Sequence, residues 1–265
     1  MGRFAQLVLG PAGSGKSTYV AAVANHLKTV GRTAHCVNFD PAAEDFKYDV
    51  SIDVRDCVSL DDVVEELDLG PNGGLLYAME YLSENTEWLQ EEIGDYDDDY
   101  LIIDCPGQIE IYSHSNVLKN IMDSITNWGF RVCAVYLLDA QFLQDSPRFI
   151  AGALSCLSTM VHLEVPHINV LSKMDLIPKK ESREVDKFLD GDMEGVVADL
   201  DKSMGKRYYS LNQAIGQLLE EYNIVGFVPL DLSDDESIGY LLAHIDNALQ
   251  FHEDQEVKDS EFDIE

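Results

Sequence analysis

Nine residues near the start of the sequence, Gly10-Pro11-Ala12-Gly13-Ser14-Gly15-Lys16-Ser17-Thr18, leave this chain little choice of fold. They satisfy G-x-x-x-x-G-K-[ST], a loop that cradles phosphate when a buried strand leads in and a helix leads out. Both neighbours are legible. Phe4-Ala5-Gln6-Leu7-Val8-Leu9 is an apolar run of strand length, and Val20, Val23, Ala24 and Leu27 recur at spacings of three and four. Glycine lets successive backbone N–H groups turn toward an anion with no Cβ in the way. The helix that starts here adds its positive dipole end. Lys16 has the reach for the β- and γ-phosphates, and the Ser17 hydroxyl suits Mg²⁺. The expected fold class is α/β, a P-loop nucleoside-triphosphatase with a mostly parallel sheet flanked by helices and carrying helical insertions.

Four further runs end in chemistry at the place where a strand hands over to a loop. Thr33–Phe39 reads as a strand closing on Asp40-Pro41, where the carboxylate is placed to hold Mg²⁺ or orient a water. Residues 41–60 read as polar and irregular, followed by a short acidic helix from Leu60 to Leu67. Leu69-Gly70-Pro71-Asn72-Gly73-Gly74 is rich in turn formers and leads into a single expected helix, Leu75 to Ile93. Tyr100–Asp104 is an apolar strand ending in Asp, and it continues Cys105-Pro106-Gly107-Gln108-Ile109-Glu110. Asp104 is suited to support Mg²⁺, the Gly107 N–H to bond a γ-phosphate, and Gln108 to orient the attacking water, with Glu110 a second candidate for that water.

Arg131–Asp139 is a fourth strand, followed by a helix over about 147–161. His167–Leu171 is a fifth, running into Ser172-Lys173-Met174-Asp175. This resembles the guanine-reading N-K-x-D, with Ser172 in place of Asn. Asp175 would accept the two guanine donors, a pair that adenine lacks, and the Lys173 stem would pack on the base. Gly226–Leu232 is a sixth strand whose end is expected to wall the base pocket. Polar helices fill 183–224, and an amphipathic helix runs from Ile238 to Phe251.

Charge decides which partners fit. Against 18 basic residues stand 49 acidic ones, a net charge of −31. Nucleic acid and anionic membrane both need clustered Lys and Arg, so neither is expected as a direct partner. The acidic block from Glu84 to Asp99 reads as a solvated surface, with docking of a basic partner the minority reading. Five cysteines without C-x-x-C suggest reduced core thiols and an intracellular protein. No run approaches the ~20 apolar residues of a membrane span, and no signal peptide fits.

Taken together, Gly70-Pro71-Asn72, Asp40-Pro41-Ala42, the Asp104–Glu110 segment and Ser172–Asp175 resemble the GPN-loop GTPases, in order, over about residues 3 to 250. The third eukaryotic branch of that family is the most similar in its Ser172 and in Phe227–Asp231 with the following Ser233–Glu236. The resemblance implies a domain over 1–251 with a GPN-loop insertion at about 60–98; the acidic, aperiodic residues 252–265 beyond it are expected to form a disordered tail. It implies GTP as substrate, Mg²⁺ as cofactor, and catalytic roles for Asp40, Asn72, Gln108 and Glu110. It implies a homodimer, or a heterodimer with a paralogue, in which Asn72 reaches the partner's γ-phosphate region. It also implies RNA polymerase II subunits or assembly factors as partners, and a cytoplasmic location with shuttling to the nucleus. Two rivals remain on the residues alone: a small-molecule or polynucleotide kinase, and an assembly module that holds nucleotide without hydrolysing it.

Overall fold

In Arg3–Leu9 (β1), successive side chains point to opposite faces, as the pleat of a strand requires. Ala5, Leu7 and Leu9 enter one apolar layer, while Phe4 and Val8 enter the other. A strand apolar on both faces is stable only with covers on both sides, which places it inside a parallel sheet. The computed structural model describes residues 2–94, 100–177, 193–221 and 226–251. Within them β1 is central to a sheet of seven parallel strands. The others are β2 Ala34–Asn38, β3 Val50–Asp53, β4 Tyr100–Asp104, β5 Phe130–Asp139, β6 His167–Ser172 and β7 Phe227–Pro229, in the order β3-β2-β4-β1-β5-β6-β7.

Lys16–Thr29 (α1) and Asp235–Ala248 (α10) cover one face with Tyr19, Val20, Val23 and Leu27, and with Ile238, Leu241, Leu242 and Ile245. Pro71–Glu84 (α3), Val117–Asn127 (α6) and Ser146–Leu163 (α7) supply the other layer, through Leu75, Met79, Leu82, Ile121, Ile125 and Cys156 among others. Each buried aliphatic side chain stabilises by about 1.5–3 kcal/mol. The remaining helices are α2 Leu60–Leu67, α4 Thr86–Ile93, α5 Glu110–Ser113, α8 Met193–Met204 and α9 Tyr209–Glu221. The five cysteines are unpaired, four of them buried, and no described helix is long and apolar enough to cross a membrane.

Three elements depart from the sequence expectations. Val50–Asp53, inside a stretch expected to be irregular, is the edge strand β3; its alternation of Val50 and Ile52 with Ser51 and Asp53 is only four residues long. The expected helix from Leu75 to Ile93 is two helices broken at Asn85, whose side-chain amide donates to Tyr81 O at 2.8 Å and so competes with the helical bonding. The first of the two begins at Pro71 rather than Leu75. Proline is favoured at the first helical position, where no N–H is needed, and Gly70 precedes it as N-cap. The GPN triplet is therefore a helix start, with Asn72 at the second helical position. The stripe Val117, Leu118, Ile121, Met122 and Ile125 forms α6, a helix not expected from the sequence. The tail at 252–265 and residues 95–99 of the acidic block lie outside the described residues.

Candidate active site

From β1 the chain goes to β2 on one side of the sheet, and after β4 it crosses to β5 on the other. A strand order that reverses in this way opens a crevice at the carboxyl ends of the strands. The register brings the chemistry to that edge: Val8 pairs with Asp104, Asn38 with Asp104, and Asp139 with Ser172. Gly10–Ser17 turns over the mouth of the crevice, with Gly10, Gly13 and Gly15 at positive φ.

Lys16 is buried, and its ammonium donates to the carbonyls of Gly10 at 3.1 Å and Pro11 at 3.3 Å, folded back onto its own loop. Burial lowers its pKa, while Asp104, Cys105 and Asp40 oppose that shift. Asp104 is raised by burial and by Asp40, and pulled back by the nearby Ser17 hydroxyl, by the Tyr48 hydrogen bond and by Lys16. Asp40 is raised by burial, and lowered by the Ala42 N–H, which its Oδ1 accepts at 2.9 Å, and by Lys16. The buried Asp104 and the half-buried Asp40 thus both act on one buried ammonium. Asp104 Oδ2 accepts from the Tyr48 hydroxyl at 2.9 Å, whereas Oδ1 is buried without a hydrogen-bond partner.

Asn38 and Asp53 hold the Asp40 turn in place. Asn38 Oδ1 accepts from Asp40 N at 3.0 Å, and its amide donates to Asp40 O and to Asp53 Oδ1. Asp53 in turn grips Arg55, which donates to Ala43 O at 2.9 Å. The loop after β4 presses on the phosphate loop: a Cβ on Gly107 would lie 2.9 Å from Ala12 Cα. Gln108 is half-buried and its Oε1 has no donor.

The Ser172–Asp175 turn is tied to the same loop. Ser172 Oγ donates to Ser14 O at 2.7 Å. Lys173, in the left-handed region at φ 61, donates to Gly13 O at 2.6 Å and pairs with Asp139 at 2.7 Å. Met174 N donates to Leu230 O, so the end of β7 backs this turn. Asp175 is exposed at its rim.

The phosphate loop, Asp40, Asp104, Gly107, Ser172 and Lys173 therefore converge. Glu110 opens α5 as an exposed residue, and Asn72 is exposed on α3, which packs on α2, α4 and α6. The sequence did not single out Lys47, whose ammonium donates to Thr18 Oγ1 at 2.9 Å, nor Tyr48 and Asn38. The signal that could have found them is the short alternation of β3, which fixes where residues 41–49 must turn back.

Several comparisons bear on this arrangement. Residues 8–251 match a family model described as "conserved hypothetical ATP binding protein". The chain is 54% identical over 260 residues to the GPN-loop GTPase 3 of Dictyostelium discoideum, covering 98% of this chain and 91% of that one. It is 48% identical to the protein of the same name from Schizosaccharomyces pombe (98% and 95% covered) and 46% identical to that of Danio rerio (98% and 92%). Among solved structures, an apo-form GTPase from Pyrococcus abyssi superposes with a TM-score of 0.74 at 22% identity, over 94% of this chain and 97% of the other, which establishes a shared fold. With relatives this similar over nearly its whole length, the chain belongs to the GPN-loop GTPase family.

Proposed function

We propose that this chain is a Mg²⁺-dependent switch that binds and hydrolyses GTP, and that it works as a dimer with a second GPN-loop chain. The observation that carries the reading is the convergence of the Lys16 loop, Asp40 and Asp104 with the Lys173–Asp175 turn on one edge of the sheet. Asp104 Oδ1, a buried carboxylate oxygen without a partner beside Ser17, fits a hard cation. Ser17, Asp104 and Asp40 would hold Mg²⁺ between them. Such a cation is held by one or two carboxylates together with the substrate's phosphates. When bound, Mg²⁺ neutralises charge developing on the phosphates. Lys16 would turn from the Gly10 and Pro11 carbonyls to the β- and γ-oxygens. The unpartnered Gln108 Oε1 is the acceptor best placed to orient a water, because a buried acceptor without a donor calls for one.

Guanine preference rests on Asp175. Asp175→Asn should weaken GTP binding by about 2 kcal/mol or more, because the substituted amide presents one of its own donors to a guanine donor. Competition between GTP and ATP in a single-turnover assay tests it. A wild-type chain that takes ATP as readily as GTP would sink the reading.

The dimer draws support from α3. Asn72 lies one turn before the exposed Leu76, and Tyr77 and Tyr81 are exposed beside it, an apolar strip suited to burial against a second chain. In an isologous dimer Asn72 would approach the partner's γ-phosphate region. Mixing Lys16→Ala chains with Asn72→Ala chains should then restore about half of the wild-type sites in mixed dimers, each built from one intact phosphate loop and one intact Asn72. No recovery, in samples shown to contain mixed dimers, excludes the trans role. The family resemblance further suggests RNA polymerase II subunits or assembly factors as clients, and cytoplasmic residence with passage to the nucleus.

A further inference from the structure

Residues 46–48 form a strap between the two motifs of the site. Lys47 reaches Thr18, at the head of the phosphate loop, and the next residue, Tyr48, reaches Asp104, at the end of β4. The strap is itself braced. The Phe46 ring lies 5.6 Å from that of Tyr48, and the Arg55 guanidinium sits 4.6 Å over Phe46 while its other contacts hold Asp53 and Ala43 O. Tyr48 is thus fixed from the strand edge, and its hydroxyl is delivered to one oxygen of Asp104.

The division of labour between the two carboxylate oxygens is the informative part. A carboxylate at the end of a strand can rotate and offer either oxygen to a cation. Here Oδ2 is taken by Tyr48, and Oδ1 is left buried with no partner. An oxygen in that state carries a cost of about 1–3 kcal/mol unless something occupies it. We infer that Tyr48 is a positioning residue, which locks the rotamer of Asp104 so that Oδ1 faces the Mg²⁺ of a bound nucleotide. The inference rests on the Mg²⁺–GTP reading above and adds to it a residue outside the phosphate-loop, Asp104–Gln108 and Lys173–Asp175 motifs. Partners that orient a ligating group typically change metal affinity by about 10–100-fold when removed.

The test is nucleotide release from the full-length chain, followed with a fluorescent GDP analogue while Mg²⁺ is titrated, and repeated in EDTA. Tyr48→Phe removes the hydroxyl and keeps the ring that packs on Phe46. The Mg²⁺ concentration that half-maximally slows release should rise about tenfold or more, with the rate in EDTA unchanged. In an Asp104→Asn background the same substitution should produce no further shift, since the two act as one unit. A merely structural tyrosine predicts otherwise: release with and without Mg²⁺ would quicken by the same factor, or the two substitutions would add. Either outcome overturns the assignment, as does an unchanged Mg²⁺ dependence. If Tyr48→Phe proves unfolded by circular dichroism, the tyrosine is structural and the assignment falls. A wild-type chain whose nucleotide release ignores Mg²⁺ would instead remove the cation reading itself, and this role with it.

Discussion

A Lys16→Ala chain is expected to bind GTP at least about a hundredfold more weakly than the parent, the ~3 kcal/mol that bonds from a buried charged donor to charged acceptors supply. The geometry explains why no other side chain can substitute. Lys16 is held under the loop, 3.1 Å from Gly10 O, with Asp40 and Asp104 near enough to oppose the loss of its proton. Burial lowers its pKa and the two carboxylates oppose that shift, and a bound triphosphate would oppose it further. Among the neighbours described, Lys47 is engaged with Thr18 and Lys173 with Gly13 O and Asp139, each on a different part of the loop. Equilibrium binding of a fluorescent GTP analogue, on protein shown to be folded by circular dichroism, provides the measurement. Affinity within threefold of the parent would mean that the phosphates lie elsewhere.

The second large effect is on stability. Gly10→Ala should cost about 2–6 kcal/mol, combining about 1–3 kcal/mol of backbone strain with about 1–3 kcal/mol of overpacking. Gly10 has φ +138, a region that residues with a Cβ hardly enter, and a Cβ there would sit 2.3 Å from Leu137 O and 2.8 Å from Ser14 Oγ. Leu137 belongs to β5, which runs beside β1, so relief requires two central strands to part. Gly13→Ala is the control. It has φ +79 but nothing within 4 Å of its Cβ, so only the strain remains, about 1–2 kcal/mol. Urea midpoints of the two variants decide the matter: equal losses would show that contact with β5 is not what confines residue 10 to glycine.

The strands ending at Leu9, Asp104, Asp139 and Ser172 could be read from the sequence because each is a mainly apolar run followed at once by a polar or glycine-rich turn at the carboxyl edge of the sheet. The edge strand β3 could hardly be, because its alternation of Val50 and Ile52 with Ser51 and Asp53 is only four residues long. Nor could the contact of Tyr48 with Asp104, 56 residues apart, since it depends on where the turn before β3 returns the chain. The start of α3 misled for a different reason. Gly70-Pro71-Asn72-Gly73-Gly74 has the composition of a turn, yet Pro71 is compatible with a first helical position and Gly74 suits close packing. A Cβ on Gly74 would lie 2.8 Å from Val64 Cγ2 of α2. Tertiary contact overrode local preference, as it commonly does for glycine within helices.

The link from Ser172 Oγ to Ser14 O, with Lys173 bonded to Gly13 O beside it, has a metrological consequence. The Ser172–Asp175 turn and the phosphate loop are not set independently by the scaffold; they are clamped to each other like the jaws of a caliper. A nucleotide held by both would then be gauged by its span from ring to phosphate as well as by its hydrogen bonds. A serine at position 172 is short enough to close this clamp from within the strand, so that a slip of β6 by one residue would change both the span and which residue the turn presents.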